Sequence, residues 1–185
     1  MDPLTALEAG YDRLGLLASR IDPESLDAPT ELPGWDVRTL LDHTLAFSVL
    51  MTDAANGAPM PDAPPSGIVG SDPVGAVAET VLDSLAAWRR PGALEAVVAT
   101  PLGPLPGAHA VSFVVMEVAV HGTDLARATG QDDGIDPELA ATVLAVLQGM
   151  PLDDIRATGR FGPEVPVPAG ADAADRVLGL TGRRP

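Results

Sequence analysis

Residues 112–130 read SFVVMEVAVHGTDLARATG, which combines an apolar run with charged and polar residues. Apolar residues occur all around its first turns, which is typical of a helix buried inside a protein. Glu117 lies within this apolar run, and a buried carboxylate must be neutralised, paired or bound to a cation. Gly130 follows the last turn and is a favourable residue for ending a helix. The stretch therefore predicts a buried helix over about residues 108–129 that carries a charged group into the core.

Helical spacing of apolar residues and good capping residues predict further helices on both sides. They cover about residues 3–20, 36–55, 73–90, 137–150 and 172–180. Residues 96–107 combine a short β-prone run with prolines and predict a hairpin or turn. The sequence thus predicts an all-α protein, a four-helix bundle with a short extra β or turn segment and a C-terminal helix. At 185 residues it is expected to form one domain over residues 1–185.

Composition excludes several kinds of site. The chain has no cysteine, which excludes a disulfide framework, a thiolate zinc site and a cysteine nucleophile. All 11 basic residues are arginine, so lysine chemistry is excluded as well. The net charge of −15 argues against nucleic acid and anionic membranes as partners. With no apparent signal peptide and no apolar run of membrane-spanning length, we expect a cytoplasmic protein, either monomer or homodimer.

Three residues predict a metal site. His121 follows Glu117 by four residues on the same helix, which places both side chains on one face. His43 lies on the core side of the second helix and is the candidate third ligand. Asp124 follows His121 by three residues and could orient its imidazole. Two histidines and one carboxylate leave coordination positions open for water or substrate; zinc suits these ligands best, while nickel, iron and manganese remain alternatives.

Each of these residues also has an ordinary structural interpretation. Glu117 and His121 could form a buried hydrogen-bonded pair without a metal, and His43 could be a core or surface residue. Asp124 could pair with Arg127, which lies three residues further along the helix. We expect both tryptophans to belong to the core and the third histidine to be structural or solvent-facing. These interpretations leave a metal-free bundle as an alternative.

Three segments resemble one known family. Residues 31–43 read ELPGWDVRTLLDH, residues 117–131 read EVAVHGTDLARATGQ, and residues 161–168 read FGPEVPVP before AADRVLGLTGR at 173–183. In this order and spacing they resemble the mycothiol-dependent maleylpyruvate isomerase N-terminal-domain family, and specifically a small actinobacterial branch of it. This family belongs to the DinB/YfiT-like superfamily. The resemblance spans nearly the whole chain.

The resemblance implies a DinB/YfiT-like four-helix bundle with metal ligands at His43, Glu117 and His121, and mycothiol as the cosubstrate. Two departures from the family pattern stand out. Thr123 occupies a position where the family usually has tryptophan. We also expect 185 residues to leave no room for the C-terminal domain of the full isomerases, so isomerisation of maleylpyruvate is not expected.

The leading functional hypothesis is a divalent-metal-dependent thiol transferase that activates a small thiol for attack on an electrophilic small molecule. Arg38 or Arg127 could then attract a substrate carboxylate. One alternative is a metal-dependent lyase, cyclase, isomerase or hydrolase that uses no thiol. Another is a non-catalytic metal-binding protein whose coordination sphere is closed by a fourth ligand such as Asp42 or His109.

Overall fold

The computed structural model describes the whole chain, Met1–Pro185. It contains seven α-helices, one 3-10 helix and two short strands. In chain order they are α1 (Pro3–Ala18), the 3-10 helix (Pro23–Asp27), α2 (Val37–Ala55), α3 (Pro73–Trp88), β1 (Val97–Val98), β2 (Leu105–Pro106), α4 (Gly107–Ala128), α5 (Pro137–Gln148), α6 (Leu152–Ala157) and α7 (Ala173–Leu180). The chain divides into two compact units, residues 2–133 and residues 134–185 together with Met1.

The first unit is a four-helix bundle. Helix α4 packs against α1 and α2, and α3 packs against the same two helices from its own side. Leucine, valine and alanine side chains form most of its core. Small residues bring the helices close together: a side chain added at Gly10 of α1 would lie 3.4 Å from Val118 of α4. This close packing places α2 and α4, the two helices with the predicted ligands, side by side.

Aspartates cap the starts of five of the seven α-helices, whereas α4 has Pro106 at its N-cap and no side-chain cap. In each case the carboxylate accepts hydrogen bonds from backbone amides of the first turn, which satisfies donors that the helix itself leaves unpaired. These N-caps are Asp2, Asp36, Asp72, Asp136 and Asp172. The predicted helix starts are therefore confirmed to within a residue or two, and the all-α fold is confirmed with them.

The predicted hairpin is confirmed and leads directly into α4. Its two strands pair antiparallel, with Val97 opposite Pro106 and Val98 opposite Leu105. Gly107 follows at once, and a side chain there would lie 2.0 Å from the carbonyl oxygen of Ala93. Glycine is therefore required where the hairpin turns into the central helix.

The second unit is built on α5 and α7, which pack against each other. An extended segment runs along α7, where the amide of Val165 donates to the carbonyl of Gly179. Sequence analysis missed α6 and the 3-10 helix because six and five residues are too short to show a helical period. The expectation of one domain over residues 1–185 stays a prediction. No helix combines the length and apolarity that a bilayer crossing requires.

Candidate metal centre

Two imidazoles converge on one carboxylate between α2 and α4. Nε2 of His43 lies 2.9 Å from Oε1 of Glu117, and Nε2 of His121 lies 3.4 Å from the same oxygen. The candidate ligand atoms of the three residues all lie within 4.8 Å of one another. The structure therefore brings together the three side chains that the sequence singled out, and it leaves their role as metal ligands a prediction.

Helix geometry explains this arrangement. Glu117 and His121 are one turn apart on α4 and share the face that packs on α2. His43 reaches them from α2, where the neighbouring Leu40 and Leu41 are fully buried. The side chains of Glu117 and His121 are only 15% and 12% exposed, whereas that of His43 is 45% exposed. The cluster is thus closed towards the bundle core and accessible to solvent on the His43 side.

Asp124 forms a hydrogen bond with the imidazole of His121 on the same helix. Its Oδ2 lies 2.8 Å from Nδ1 of His121, and its side chain is 1% exposed. An ionised carboxylate accepts the proton of Nδ1, so a neutral His121 presents the lone pair of Nε2 towards Glu117. Two acceptors that face each other in a buried site need a proton or a cation between them. This is the orienting position predicted for Asp124.

The donor set fits a divalent transition metal. Two imidazole nitrogens and one carboxylate oxygen suit zinc, and also nickel, iron and manganese. In a tetrahedral zinc site with bonds of about 2.1 Å, neighbouring ligand atoms lie about 3.4 Å apart. The separations of 2.9 and 3.4 Å around Oε1 of Glu117 are close to that value. Because no two of the candidate ligand atoms lie more than 4.8 Å apart, these residues are compatible with one shared divalent ion.

Trp35 forms an aromatic wall of this cluster. Its ring centroid lies 4.7 Å from that of His43, edge-on, and 6.1 Å from that of His121, stacked. The expectation that Trp35 belongs to the core was wrong, because its half-buried ring contacts the imidazoles, whereas Trp88 is 1% exposed and confirmed as core. Trp35 lies just before the N-cap of α2, outside the helix, so helical spacing could not predict its contact with His43.

Comparison with known proteins places the chain in a family. Residues 7–126 match the profile described as "Mycothiol maleylpyruvate isomerase N-terminal domain". The chain belongs to this family. An uncharacterized protein of Mycobacterium tuberculosis, found in two strains, is 31% identical over 185 residues, covering 99% of this chain and 98% of the relative.

Two solved structures share the fold. A crystal structure of the mycothiol-dependent maleylpyruvate isomerase matches with a TM-score of 0.71 at 22% identity, covering 98% of this chain and 88% of the isomerase. A histidine-to-alanine mutant of the isomerase matches with a TM-score of 0.65 at 20% identity, covering 97% and 89%. The DinB-like bundle expected from the resemblance is confirmed. The expectation that this chain is too short for the C-terminal domain of the isomerases was wrong, because the shared fold covers 88% of the isomerase chain. The expectation that it does not isomerise maleylpyruvate stays a prediction.

The side chain of Arg38 forms a hydrogen bond with the loop that follows α2. Its Nη1 donates to the carbonyl of Gly70 at 2.7 Å. Asp42, considered as a fourth ligand, accepts from the amides of Gly67 and Val69 at 2.8 and 3.1 Å. Neither side chain belongs to the ligand cluster, which consists of three residues. Both residues instead fasten this loop to the helix that carries His43.

Arg127 likewise pairs with two carboxylates of the same chain, both of which are partly exposed. Its Nε lies 2.6 Å from Oδ2 of Asp133, and its Nη1 lies 3.7 Å from Oε2 of Glu31. The structure therefore gives both arginines that were predicted to bind substrate a structural partner. His109, at the start of α4, lies outside the ligand cluster.

Thr123 faces an arginine that sequence analysis did not single out. Thr123 is fully buried, and its hydroxyl oxygen accepts from Nη2 of Arg13 at 3.3 Å. The same guanidinium donates to the carbonyls of Ala119 and Asp133 at 3.2 and 3.0 Å. Burial lowers the pKa of Arg13, and the nearby acidic residues partly oppose this shift. The small hydroxyl side chain of Thr123 thus lies against a cation that also binds the backbone of α4.

Proposed function

We propose that this member of the family is a divalent-metal-dependent thiol transferase that uses mycothiol to attack an electrophilic small molecule. One observation carries the proposal: two histidines and a glutamate converge in a site that is open on one side. The family profile and the solved isomerase structures, both named for mycothiol, support the choice of thiol.

The side chains of the site have separate tasks. His43, Glu117 and His121 would hold the metal, and Asp124 keeps the Nε2 lone pair of His121 directed at it. A divalent cation bound there supplies one kind of chemistry, since it lowers the pKa of a thiol so that sulfur reacts as the thiolate at neutral pH. The chain has no cysteine, so the nucleophilic sulfur must come from outside.

The exposed edge of His43 gives the cosubstrate its approach. With an activated alkene, the sulfur–carbon bond forms while the π bond breaks, and the carbon next to the carbonyl group takes up a proton. A thiol-dependent isomerase begins with the same addition, so the transferase proposal agrees with the activity that the solved relatives are named for. The two activities differ in whether the sulfur afterwards leaves.

A rate measurement tests the proposal. Protein loaded with one zinc ion per chain is mixed with mycothiol and monobromobimane, and thiol consumption is compared with the reaction without protein. We expect clear acceleration by the native chain and none by the Glu117→Gln variant, whose folding is checked by circular dichroism. An unchanged rate with fully loaded native protein would refute the thiol transferase.

A metal enzyme that uses no thiol, or a non-catalytic metal protein, makes different predictions. Because Asp42 is occupied by two backbone amides, no fourth protein ligand closes the sphere, which favours a reactive site over a structural one. Cobalt-loaded protein separates these functions. A change in its visible spectrum on adding mycothiol supports thiol chemistry, whereas an unchanged spectrum supports one of the thiol-free functions.

A further inference from the structure

We infer that the electrophile taken by this centre is uncharged and apolar, and that it packs on the indole of Trp35. The inference rests on the proposed function, because it names the substrate class of the same site. Two independent features lead to it: the arginines around the centre are already bound to internal acceptors, and the exposed wall of the centre is aromatic.

The arginines near the ligand helices already have acceptors within the chain, although the side chain of Arg38 is 42% exposed. Arg127 is 17% exposed and lies between Asp133 and Glu31. Arg38 donates to the carbonyl of Gly70. Freeing either guanidinium for a ligand would break a charge-assisted hydrogen bond that the fold uses.

The other arginines of residues 2–133 also have acceptors within the chain, with one exception. Arg13 donates to backbone carbonyls beside α4, Arg89 pairs with Glu8 at 2.7 Å, and Arg90 donates to carbonyls at helix ends. Arg20, just beyond the end of α1, is the exception among the six. Five of the six arginines in the unit that holds the centre therefore already donate to, or pair with, an acceptor of the same chain.

The centre itself adds no surplus positive charge. Glu117 and Asp124 contribute two negative charges, which match the two positive charges of a divalent ion held among these side chains. A dianionic ligand would lose its hydration at such a site without gaining a countercharge. The chain as a whole carries a net charge of −15, which also opposes the approach of an anion.

Trp35 offers the contact that an apolar ligand needs. Its half-buried ring lies against both imidazoles, at centroid distances of 4.7 and 6.1 Å, and aromatic residues make up only 3% of the chain. Indole rings give large apolar contact areas with little loss of conformational freedom. The relatives with solved structures are named for maleylpyruvate, which carries two carboxylates. The inference therefore separates this chain from them by substrate charge.

A binding experiment tests the inference without relying on turnover. Dimethyl succinate and succinate share a carbon skeleton and differ in charge, and neither reacts with thiols. Each is titrated into the zinc-loaded protein while tryptophan fluorescence is recorded. Subtracting the signal of the Trp35→Phe variant, which retains Trp88, isolates the response of Trp35. We expect the diester to half-saturate this response at a concentration at least about tenfold lower than succinate.

Turnover of a second matched pair extends the test. Dimethyl maleate and maleate are compared in the mycothiol assay, each relative to its own uncatalysed rate. We expect a larger acceleration for the diester, a reduced one in Trp35→Ala and a nearly retained one in Trp35→Phe. No lysine or cysteine side chain is present to consume the electrophile.

The outcomes distinguish the two proposals. Selective diester binding without turnover of any electrophile would refute the thiol transferase and support the inferred ligand class. Equal or tighter binding of succinate, or no Trp35 response to either compound, would overturn the inference. Faster acceleration of maleate than of its diester would also overturn it, while supporting thiol transfer itself.

Discussion

Among single residues, the proposed centre depends most on the hydrogen bond between Asp124 and His121. The two atoms lie 2.8 Å apart, and the carboxylate has almost no contact with solvent. Such a partner fixes the tautomer and the orientation of a ligating imidazole and raises its basicity. The metal affinity of the centre should therefore depend on a residue that does not touch the metal.

Replacing Asp124 by asparagine keeps the shape of the side chain and removes its charge. We expect the Asp124→Asn variant to bind zinc about 10–100-fold more weakly, because its amide supports the imidazole less well than a carboxylate does. Competition against a chromophoric chelator measures the affinity. The matched control is Asp133→Asn, which pairs with Arg127 rather than with an imidazole and should leave the affinity unchanged. Equal affinities of all three proteins would contradict the role assigned to Asp124.

The sequence predicted the members of this cluster better than their surroundings. The spacing of Glu117 and His121 within an apolar run is a local signal, so these residues could be found without a structure. The hydrogen bond of Arg38 and the ion pair of Arg127 could not be predicted in this way. They depend on where Gly70 and Asp133 lie in space. Periodicity along one helix carries no information about partners on a distant loop.

At the scale of single elements, Asp36 defines the start of the helix that carries His43. Its Oδ1 accepts from the amide of Thr39 at 2.7 Å. Hydrogen bonds from the hydroxyl and the amide of Thr39 lower the pKa of Asp36 below the ordinary carboxyl value. The ionised carboxylate is therefore the form that stabilises α2.

Removing this cap should destabilise the bundle in a pH-dependent way. We expect Asp36→Ala to lower the free energy of unfolding by about 1 kcal/mol at neutral pH. Because the folded-state pKa is lowered, the contribution is fully present above the ordinary carboxyl pKa of about 3.9 and is lost as the pH falls through the folded value. Urea unfolding at pH 7 and at about pH 3 should thus show a difference that narrows on acidification. A difference of the same size at both pH values would contradict this assignment.

Two helical glycines should respond oppositely to the same substitution. Nothing lies within 4 Å of a side chain added at Gly15 of α1, whereas one at Gly107 of α4 would lie 2.0 Å from the carbonyl oxygen of Ala93. We expect Gly15→Ala to stabilise the fold by about 0.5–1 kcal/mol through helix propensity. Gly107→Ala should destabilise it by about 1–3 kcal/mol through overcrowding. Thermal unfolding of the two variants checks the signs, and stabilisation by Gly107→Ala would show that the hairpin does not pack against α4 as described.

Element starts were the most predictable part of the fold. Aspartate followed by proline, as at 72–73 and 136–137, is a local capping signal, and the structure confirms both helix starts. The 3-10 helix and α6 were not predictable, because one short turn contains too few residues to show a period. Trp35 was assigned to the core by residue type alone, which does not reveal that its ring meets two imidazoles.

At the scale of the whole molecule, the composition leaves a single tyrosine phenol that can titrate at alkaline pH. Tyr11 is the sole tyrosine, and lysine and cysteine are absent. The phenol of Tyr11 is 1% exposed and donates to Ser84 of α3 at 2.9 Å, which links two helices of the bundle. Burial raises the pKa of Tyr11 above its ordinary value, although hydrogen bonds to serines oppose the shift.

Titration of Tyr11 should therefore lower the free energy of unfolding at alkaline pH. Stability from the neutral phenol is fully present below the ordinary tyrosine pKa of about 10 and is lost as the pH rises through the higher folded value. We expect the free energy of unfolding of the native protein to fall as the pH rises above about 10, with a flatter profile for Tyr11→Phe. The variant should also be less stable at neutral pH by about 1 kcal/mol, because Ser84 loses its partner. Parallel profiles of the two proteins would contradict the assignment.

The central claim is that His43, Glu117 and His121 together hold one divalent metal ion. Equilibrium dialysis against zinc, followed by elemental analysis of the native protein and of Glu117→Gln, tests it most directly. The claim predicts about one ion per native chain and a large loss in the variant, whose folding is confirmed by circular dichroism. A native protein that retains no zinc, or a folded variant that retains as much as the native chain, would contradict it.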